Sequence, residues 1–171
     1  VNSPPSVAGN YLGGAASYGP APSGETGDSV MGSDAAAGNH PIYGLSCGTS
    51  STDGCCPFTN AAAMVGKICV VDRGTCTFKT KTANCQAAGG IGLVVVDNAP
   101  GSPPPGLGDD ALITTVITIP SERVTLLDGT AIKNAITTSP PVNITLLGSN
   151  GADTLASFSS RRPPGIFGSP L

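Results

Sequence analysis

The chain of 171 residues has no tryptophan, a single histidine, only 4% aromatic residues and only 11% charged residues. With His40 alone, a Ser/His/Asp triad has just one candidate base, and no G-x-S-x-G elbow lies near it. Asn39-His40-Pro41 is read as a surface loop. Basic residues are sparse, the net charge is −3, and the one basic pair is Arg161-Arg162. That excludes the electrostatic footprint of a nucleic-acid binder or of a protein drawn to anionic lipid. No apolar run approaches the roughly 20 residues that span a bilayer. The first residue is Val1, without a methionine or an apolar leader. A mature secreted chain, or an excerpt of one, is the expectation.

What is abundant is glycine, proline and cysteine. The 24 Gly and 16 Pro describe short elements joined by turns. Six cysteines (Cys47, Cys55, Cys56, Cys69, Cys76 and Cys85) lie close together in a charge-poor chain, which points to disulfides and an oxidising compartment. Zinc sites pair cysteines as C-x₂₋₄-C with further ligands beyond. These spacings do not supply that pattern, and His40 has no partner histidine. No cofactor or metal is expected.

Along the chain, residues 1–24 (VNSPPSVAGNYLGGAASYGPAPSG) show no helical or strand period and read as an extended arm. Residues 25–147 hold the regular elements, and residues 148–171 form a Gly/Ser/Pro-rich tail. A short strand is expected at Asp28 to Met31 and a buried one at Lys67 to Asp72. A helix follows over Phe78 to Ala88, capped by Thr77 or Thr75 and stopped by Gly89-Gly90. Ile91 to Val96 is a continuous apolar run, as in a strand covered on both faces. Strand, helix, strand at this spacing forms a crossover between parallel strands. Leu112 to Ile119 is β-rich and Pro120 ends it. Thr125 caps a second helix carrying Leu127, Ala131, Ile132, Ala135 and Ile136, and Val142 to Leu147 gives a last strand. The fold class is α+β, rich in β: a mixed β-barrel or sandwich with two short helices and extended arms.

Gly66, Lys67, Ile68, Arg73, Gly74, Cys76, Phe78, Asn84, Gln86, Ala88 and Gly89 now carry a name. They resemble the GKI-x-[LV]-[VI]-x-RG, C-x-F and K-x-x-N-[AC]-Q-x-A-G signature of the protease-associated (PA) domain, with Lys81 or Lys79 as the helix lysine. Thr118-Ile119-Pro120-Ser121, then Asp128-Gly129 and Ile132, resemble the I-P-S…D-G-x-x-L ending of that family. The cysteine layout around Ser46-Cys47-Gly48, Cys55, Cys69 and Cys85 resembles PA domains inserted in secreted bacterial subtilisin-like proteases. Ser157-Phe158-Ser159-Ser160-Arg161 resembles a segment downstream of such inserts, with Arg162 where that segment has Gly. The opening VNSPPSVAGNY resembles the lead-in to PA domains of other large secreted proteins, metallopeptidases included.

Within that frame the cysteine layout suggests that Cys69 on the strand and Cys85 on the helix staple the crossover unit. Adjacent Cys55 and Cys56 then take Cys47 and Cys76, with Cys47–Cys55 and Cys56–Cys76 favoured over the swap. Arg73-Gly74-Thr75 is the binding candidate, because a strand-to-helix turn offers backbone N–H groups and a guanidinium to a carboxylate or peptide. Receptor-type PA domains use the corresponding loop for ligand, and that resemblance extends to these three residues. The bland alternative is that Arg73 pairs with Asp72 or a loop carbonyl and only shapes the turn. Asp109-Asp110 is the one adjacent carboxylate pair and reads as a solvated turn or a weak Ca²⁺ contact. Asn143-Ile144-Thr145 is a glycosylation sequon inside a strand and is read as silent.

The expected function is a non-catalytic, extracellular protein- or peptide-interaction module, accessory to a secreted peptidase or surface protein. Two alternatives stand beside it. In one, the arms 1–24 and 148–171 link copies into a filament. In the other, the chain is a fragment of a subtilisin-like protease with its catalytic residues elsewhere.

Overall fold

A computed structural model describes residues 1–148. The tail motif at Ser157 to Arg162 and the arm expected at residues 148–171 lie outside the described residues, Gly148 excepted. The elements run β1 (Gly14–Ala15), β2 (Ser23–Met31), a 3₁₀ turn (Ala61–Met64), β3 (Ile68–Asp72), α1 (Phe78–Ala87), β4 (Gly92–Val96), β5 (Ser121–Val124), α2 (Leu126–Thr138) and β6 (Asn143–Leu147). The strands lie in one sheet in the order β1-β5-β4-β3-β2-β6. Its centre, β2 to β5, is parallel, and its two edges pair antiparallel. The β-rich, mixed-sheet architecture with two helices is as expected. The strands form a single sheet ending in β1 and β6.

Strand periodicity sorts the core into two layers. Cys69, Val71, Leu93 and Val95 enter one cluster with Ala83 and Cys85 of α1 and with Leu107, Ile113 and Ile117 of the long β4–β5 loop. Ile68, Val70, Val94 and Val96 enter the other with Ile132 and Ala135 of α2. Right-handed crossovers that step in one direction across a parallel sheet fall on one face. The β2–β3 loop, α1 and the β4–β5 loop accordingly share a face, and α2, joined by Val7 of the N-terminal arm, covers the other.

Several boundaries move. The strand expected at Asp28 to Met31 begins at Ser23. Leu112 to Ile119 is not a strand. Instead Ile113 and Ile117 drop into the core from a loop, and the strand is Ser121–Val124, just after Pro120. Pro120 has no N–H to give, but its carbonyl accepts from the Leu93 N–H at 3.0 Å and opens the ladder there. Thr125 caps α2 with its hydroxyl accepting from the Asp128 N–H at 3.1 Å.

The first 24 residues lie on their own domain. Asn2 and Ser3 bond the Asn143 backbone at 2.8 and 3.1 Å, and β1 pairs with β5. Val7 and Tyr18 are buried in the two core clusters. The N-terminal arm is thus packed on its own sheet and core. Among the described residues no helix is long and apolar enough to cross a membrane.

Candidate functional site

Three parallel strands end side by side, and each delivers a polar residue to the same rim: Arg73 after β3, Asp97 after β4 and Thr125 after β5. The Arg73 N–H donates to the Val96 carbonyl at 2.8 Å, which continues the ladder one residue past the strand. Its guanidinium donates to Asp97 Oδ1 at 3.1 Å. Arg123, from β5, donates through Nε and Nη2 to Asp97 Oδ2 at 3.0 and 2.8 Å and lies over the Phe78 ring. Burial pushes the Asp97 carboxyl up. The Arg123 and Arg73 hydrogen bonds outweigh it and hold Asp97 below the usual carboxylate value.

Asp97 and Arg123 side chains are 8% and 6% exposed, whereas Arg73 is 38% exposed. Arg73 is therefore anchored through one nitrogen while its other donors face solvent. The expected partners, Asp72 or a loop carbonyl, are replaced by Asp97. Asp72 instead bonds Lys133 and Thr52. Gly74 is required by close approach, since a Cβ there would overlap the Asp53 carboxylate. Thr75 at the tip is exposed.

Beneath the turn sits a polar layer. Lys81 of α1 is wholly buried, and its ammonium donates to the Asp53 carbonyl and lies 3.6 Å from Cys55 Sγ. Burial lowers its pKa to about 8, against the pull of Asp53, Asp34 and Asp72. Asp34 accepts the N–H groups of Gly54 and Cys56 at 3.3 and 2.9 Å, and Asp53 accepts that of Cys55 at 3.2 Å. Asn84 donates to the Gly54 carbonyl and meets His40 Nε2 at 2.8 Å. His40 is buried, which corrects the surface reading. Its Nδ1 accepts from Ile42 and Tyr43, so Nε2 carries the proton and donates to Asn84. Both its nitrogens are committed to holding the loop.

The disulfides are Cys69–Cys85, Cys47–Cys56 and Cys55–Cys76. The expected Cys47–Cys55 and Cys56–Cys76 pairs are thus corrected to the swap. Consecutive side chains on an extended backbone diverge, and the N–H groups of Cys55 and Cys56 are pinned separately by Asp53 and Asp34. That orientation sends Cys55 toward the turn. Asp109 pairs with Lys79 at 2.9 Å while Asp110 accepts from Leu112, so the two carboxylates serve different partners. Asn143 lies on β6 with its amide donating to Asp28 at 2.9 Å.

A cleft of about 910 Å³ opens at the same rim, between Tyr11 and Leu12 of the arm, Gly101 of the β4–β5 loop, and Thr125 to Asp128 at the start of α2. The connections leaving β4 and β5 depart to opposite faces of the sheet. Such a switch point leaves a crevice outside the strand ends, where open parallel sheets commonly bind ligands. The sequence points to Arg73, but not to Asp97, Arg123 or the arm. Asp97 does carry a usable signal, because it follows the apolar strand β4 just as Arg73 closely follows β3.

A signature turn on a parallel strand, a cysteine-stapled crossover helix and a mixed sheet define the class. The PA domain model matches residues 25–132, and the chain belongs to the PA domain family. It is 32% identical over 126 residues to an ER degradation-enhancing alpha-mannosidase-like protein 3 of Xenopus laevis, covering 71% of this chain and 14% of that protein. It is 38% identical over 94 residues to vacuolar-sorting receptor 2 of Arabidopsis thaliana, covering 52% of this chain and 15% of that one. The zinc aminopeptidase BSAP of Bacillus subtilis shares the fold with a TM-score of 0.55 at 22% identity, over 82% of this chain and 28% of that chain. The chain thus spans under a third of the length of each of these proteins.

Proposed function

We propose that this is a non-catalytic module that binds a protein or peptide segment at the carboxyl rim of its sheet, as an accessory part of a larger protein of the secretory pathway or the cell exterior. The observation that carries the reading is Arg73: fixed by buried Asp97, yet 38% exposed at the same strand-end rim on which the cleft opens at Thr125. An anchored guanidinium is pre-organised, so little side-chain freedom is lost when it grips a carboxylate or a carbonyl. Thr75 and Gly74 supply the exposed tip, and the Gly101 loop with Tyr11 and Leu12 supplies walls. Family relatives named as a sorting receptor and as a mannosidase-like protein support an interaction role. The three disulfides support an oxidising compartment.

The test is a peptide array followed by fluorescence anisotropy on the whole chain. Peptides that bind the wild type are expected to lose at least about tenfold in affinity on Arg73→Ala, the size of one charge-assisted contact. Binding that ignores Arg73 would remove the rim from the proposal, and hydrolysis of a peptide by the isolated chain would overturn the non-catalytic reading.

A further inference from the structure

The three disulfides differ in access and in what surrounds their sulfurs. Cys69 and Cys85 are both 0% exposed between sheet and α1, and Gly90 lies so close that a Cβ there would overlap both sulfurs. Cys47 and Cys56 are each 2% exposed. Cys55 is also sealed, but its partner Cys76 is only half-buried at the end of the turn, next to exposed Thr75 and Thr77. Cys55 Sγ moreover has an ammonium and a backbone N–H directed at it: Lys81 Nζ at 3.6 Å and the Cys76 N–H at 3.3 Å. Neither serves the other two disulfides. A nearby cation and a hydrogen-bond donor stabilise thiolate over thiol, and a stabilised thiolate leaves a disulfide faster.

We propose that Cys55–Cys76 is a reducible latch on the Arg73-Gly74-Thr75 turn, opened by a dithiol reductant at Cys76 with Cys55 leaving toward Lys81. A reductant thiolate attacks Sγ of the half-buried Cys76, the Cys76–Cys55 bond breaks, and Cys55 departs with the electron pair as a thiolate facing the ammonium. The reductant's second thiol then attacks its own sulfur in the mixed disulfide and releases Cys76. Two electrons pass to the protein, its two sulfurs take up two protons, and the reductant becomes a disulfide. Lys81 keeps its proton at neutral pH, because burial lowers it only to about 8.

The consequence follows from what the bond ties together. Cys76 ends the turn, and Cys55 belongs to the loop whose Asp53 packs against Gly74. Opening the bond removes the covalent tie between that tip and the Asp53 loop, leaving the packing at Gly74 and the Arg73 contacts to Asp97 and Val96. Its regulatory meaning rests on the proposed function, whereas the chemistry does not.

The experiment is native-state reduction of the full chain with graded dithiothreitol, quenched with N-ethylmaleimide and mapped by mass spectrometry. Cys55 and Cys76 are expected to label together, about tenfold sooner than the other four cysteines. Amide exchange at residues 74–77 is expected to rise while β3 and β4 stay protected. Earlier labelling of any other pair, or simultaneous opening of all three, overturns the latch. Lys81→Gln, where folded, is expected to slow the Cys55–Cys76 step by about tenfold, and Lys81→Arg to restore it. An unchanged rate in folded Lys81→Gln removes Lys81 from the proposal, and the wild-type labelling order decides the rest without any variant. Labelling order requires no peptide. A chain that binds none but opens here first breaks the functional reading and keeps the latch.

Discussion

The two faces of the sheet are covered in different ways. On one face α2 presents Ile132 and Ala135 to Val94, Val96 and Ile68 in an apolar seam without a cross-link. On the other, α1 buries Thr80, Lys81, Thr82 and Asn84 alongside Cys85, and two long loops complete the layer. A helix with so polar a buried side gains little from hydrophobic burial alone. There the chain substitutes hydrogen bonds and disulfides: Lys81 and Asn84 hold the loop carbonyls of Asp53 and Gly54, Tyr18 and Ser121 engage Thr82, and all three disulfides fall on this side. Irregular backbone can cover a sheet when its polar groups are satisfied one by one. The rim that carries Arg73 and Asp97 is assembled where this cross-linked layer meets the strand ends.

The largest effect expected from breaking this layer comes from Asp97→Ala. The substitution strands Arg123, 6% exposed, as a buried cation without its carboxylate, and should cost about 3–5 kcal/mol in urea unfolding. A loss under about 1 kcal/mol would mean that water reaches Arg123 and that the rim is softer than its burial indicates. Next comes Cys69→Ala with Cys85→Ala. The bond closes a loop of sequence separation 16, so its removal should cost about 3 kcal/mol. The α2 face has no counterpart to lose.

The faces should also answer pH with opposite timing. Glu122 lies on the α2 side of β5, its carboxyl against Gly13, and burial together with Glu25 raises its pKa from 4.5 to about 7. The folded state holds that proton longer than the unfolded chain, so stability falls as pH rises from about 4.5 to 7. Lys81 is lowered from 10.5 to about 8, so the unfolded chain binds the extra proton and stability rises between pH 8 and 10.5. Glu122→Gln should remove the lower slope, roughly 2 kcal/mol after allowing for partial solvation, and leave the upper one. Thermal melts across both windows check the separation. A lower slope that survives Glu122→Gln would place its source elsewhere.

Much of this is legible in the amino-acid sequence. The crossover from Ile68 to Val96 could be read because its signals are local: apolar runs, a capping threonine, and glycines at the helix end. Arg73 is legible as a turn residue. Its setting is not, because Asp97, which bonds it, and Arg123, which bonds Asp97, lie 24 and 50 positions further on and come together only once β3, β4 and β5 align. Ser121–Val124 was missed because a short strand containing Glu122 and Arg123 lacks an apolar pattern, while neighbouring Leu112 to Ile119 has one and spends it on a loop. His40 read as exposed because its polar neighbours gave no sign of Asn84. The N-terminal arm reads only as extended, since its anchors Val7 and Tyr18 pack into two different layers and leave no local period.

The smallest expected effect on stability is the one that separates scaffold from site. Arg73→Ala removes only the outer guanidinium from Asp97, whose other oxygen keeps both Arg123 contacts. Because Arg73 is 38% exposed, solvent already screens its pair, and the loss should stay under about 1 kcal/mol. Backbone register is unaffected, since the Arg73 N–H to Val96 bond survives any side chain. A residue that shapes the turn and a residue that binds a partner diverge at this point. A structural Arg73 would lose stability and peptide affinity together, whereas a binding Arg73 loses affinity while urea midpoints hold. Measuring both on one variant places Arg73 with the buried layer or with the rim, and a midpoint shift matching that of Asp97→Ala would return it to the scaffold.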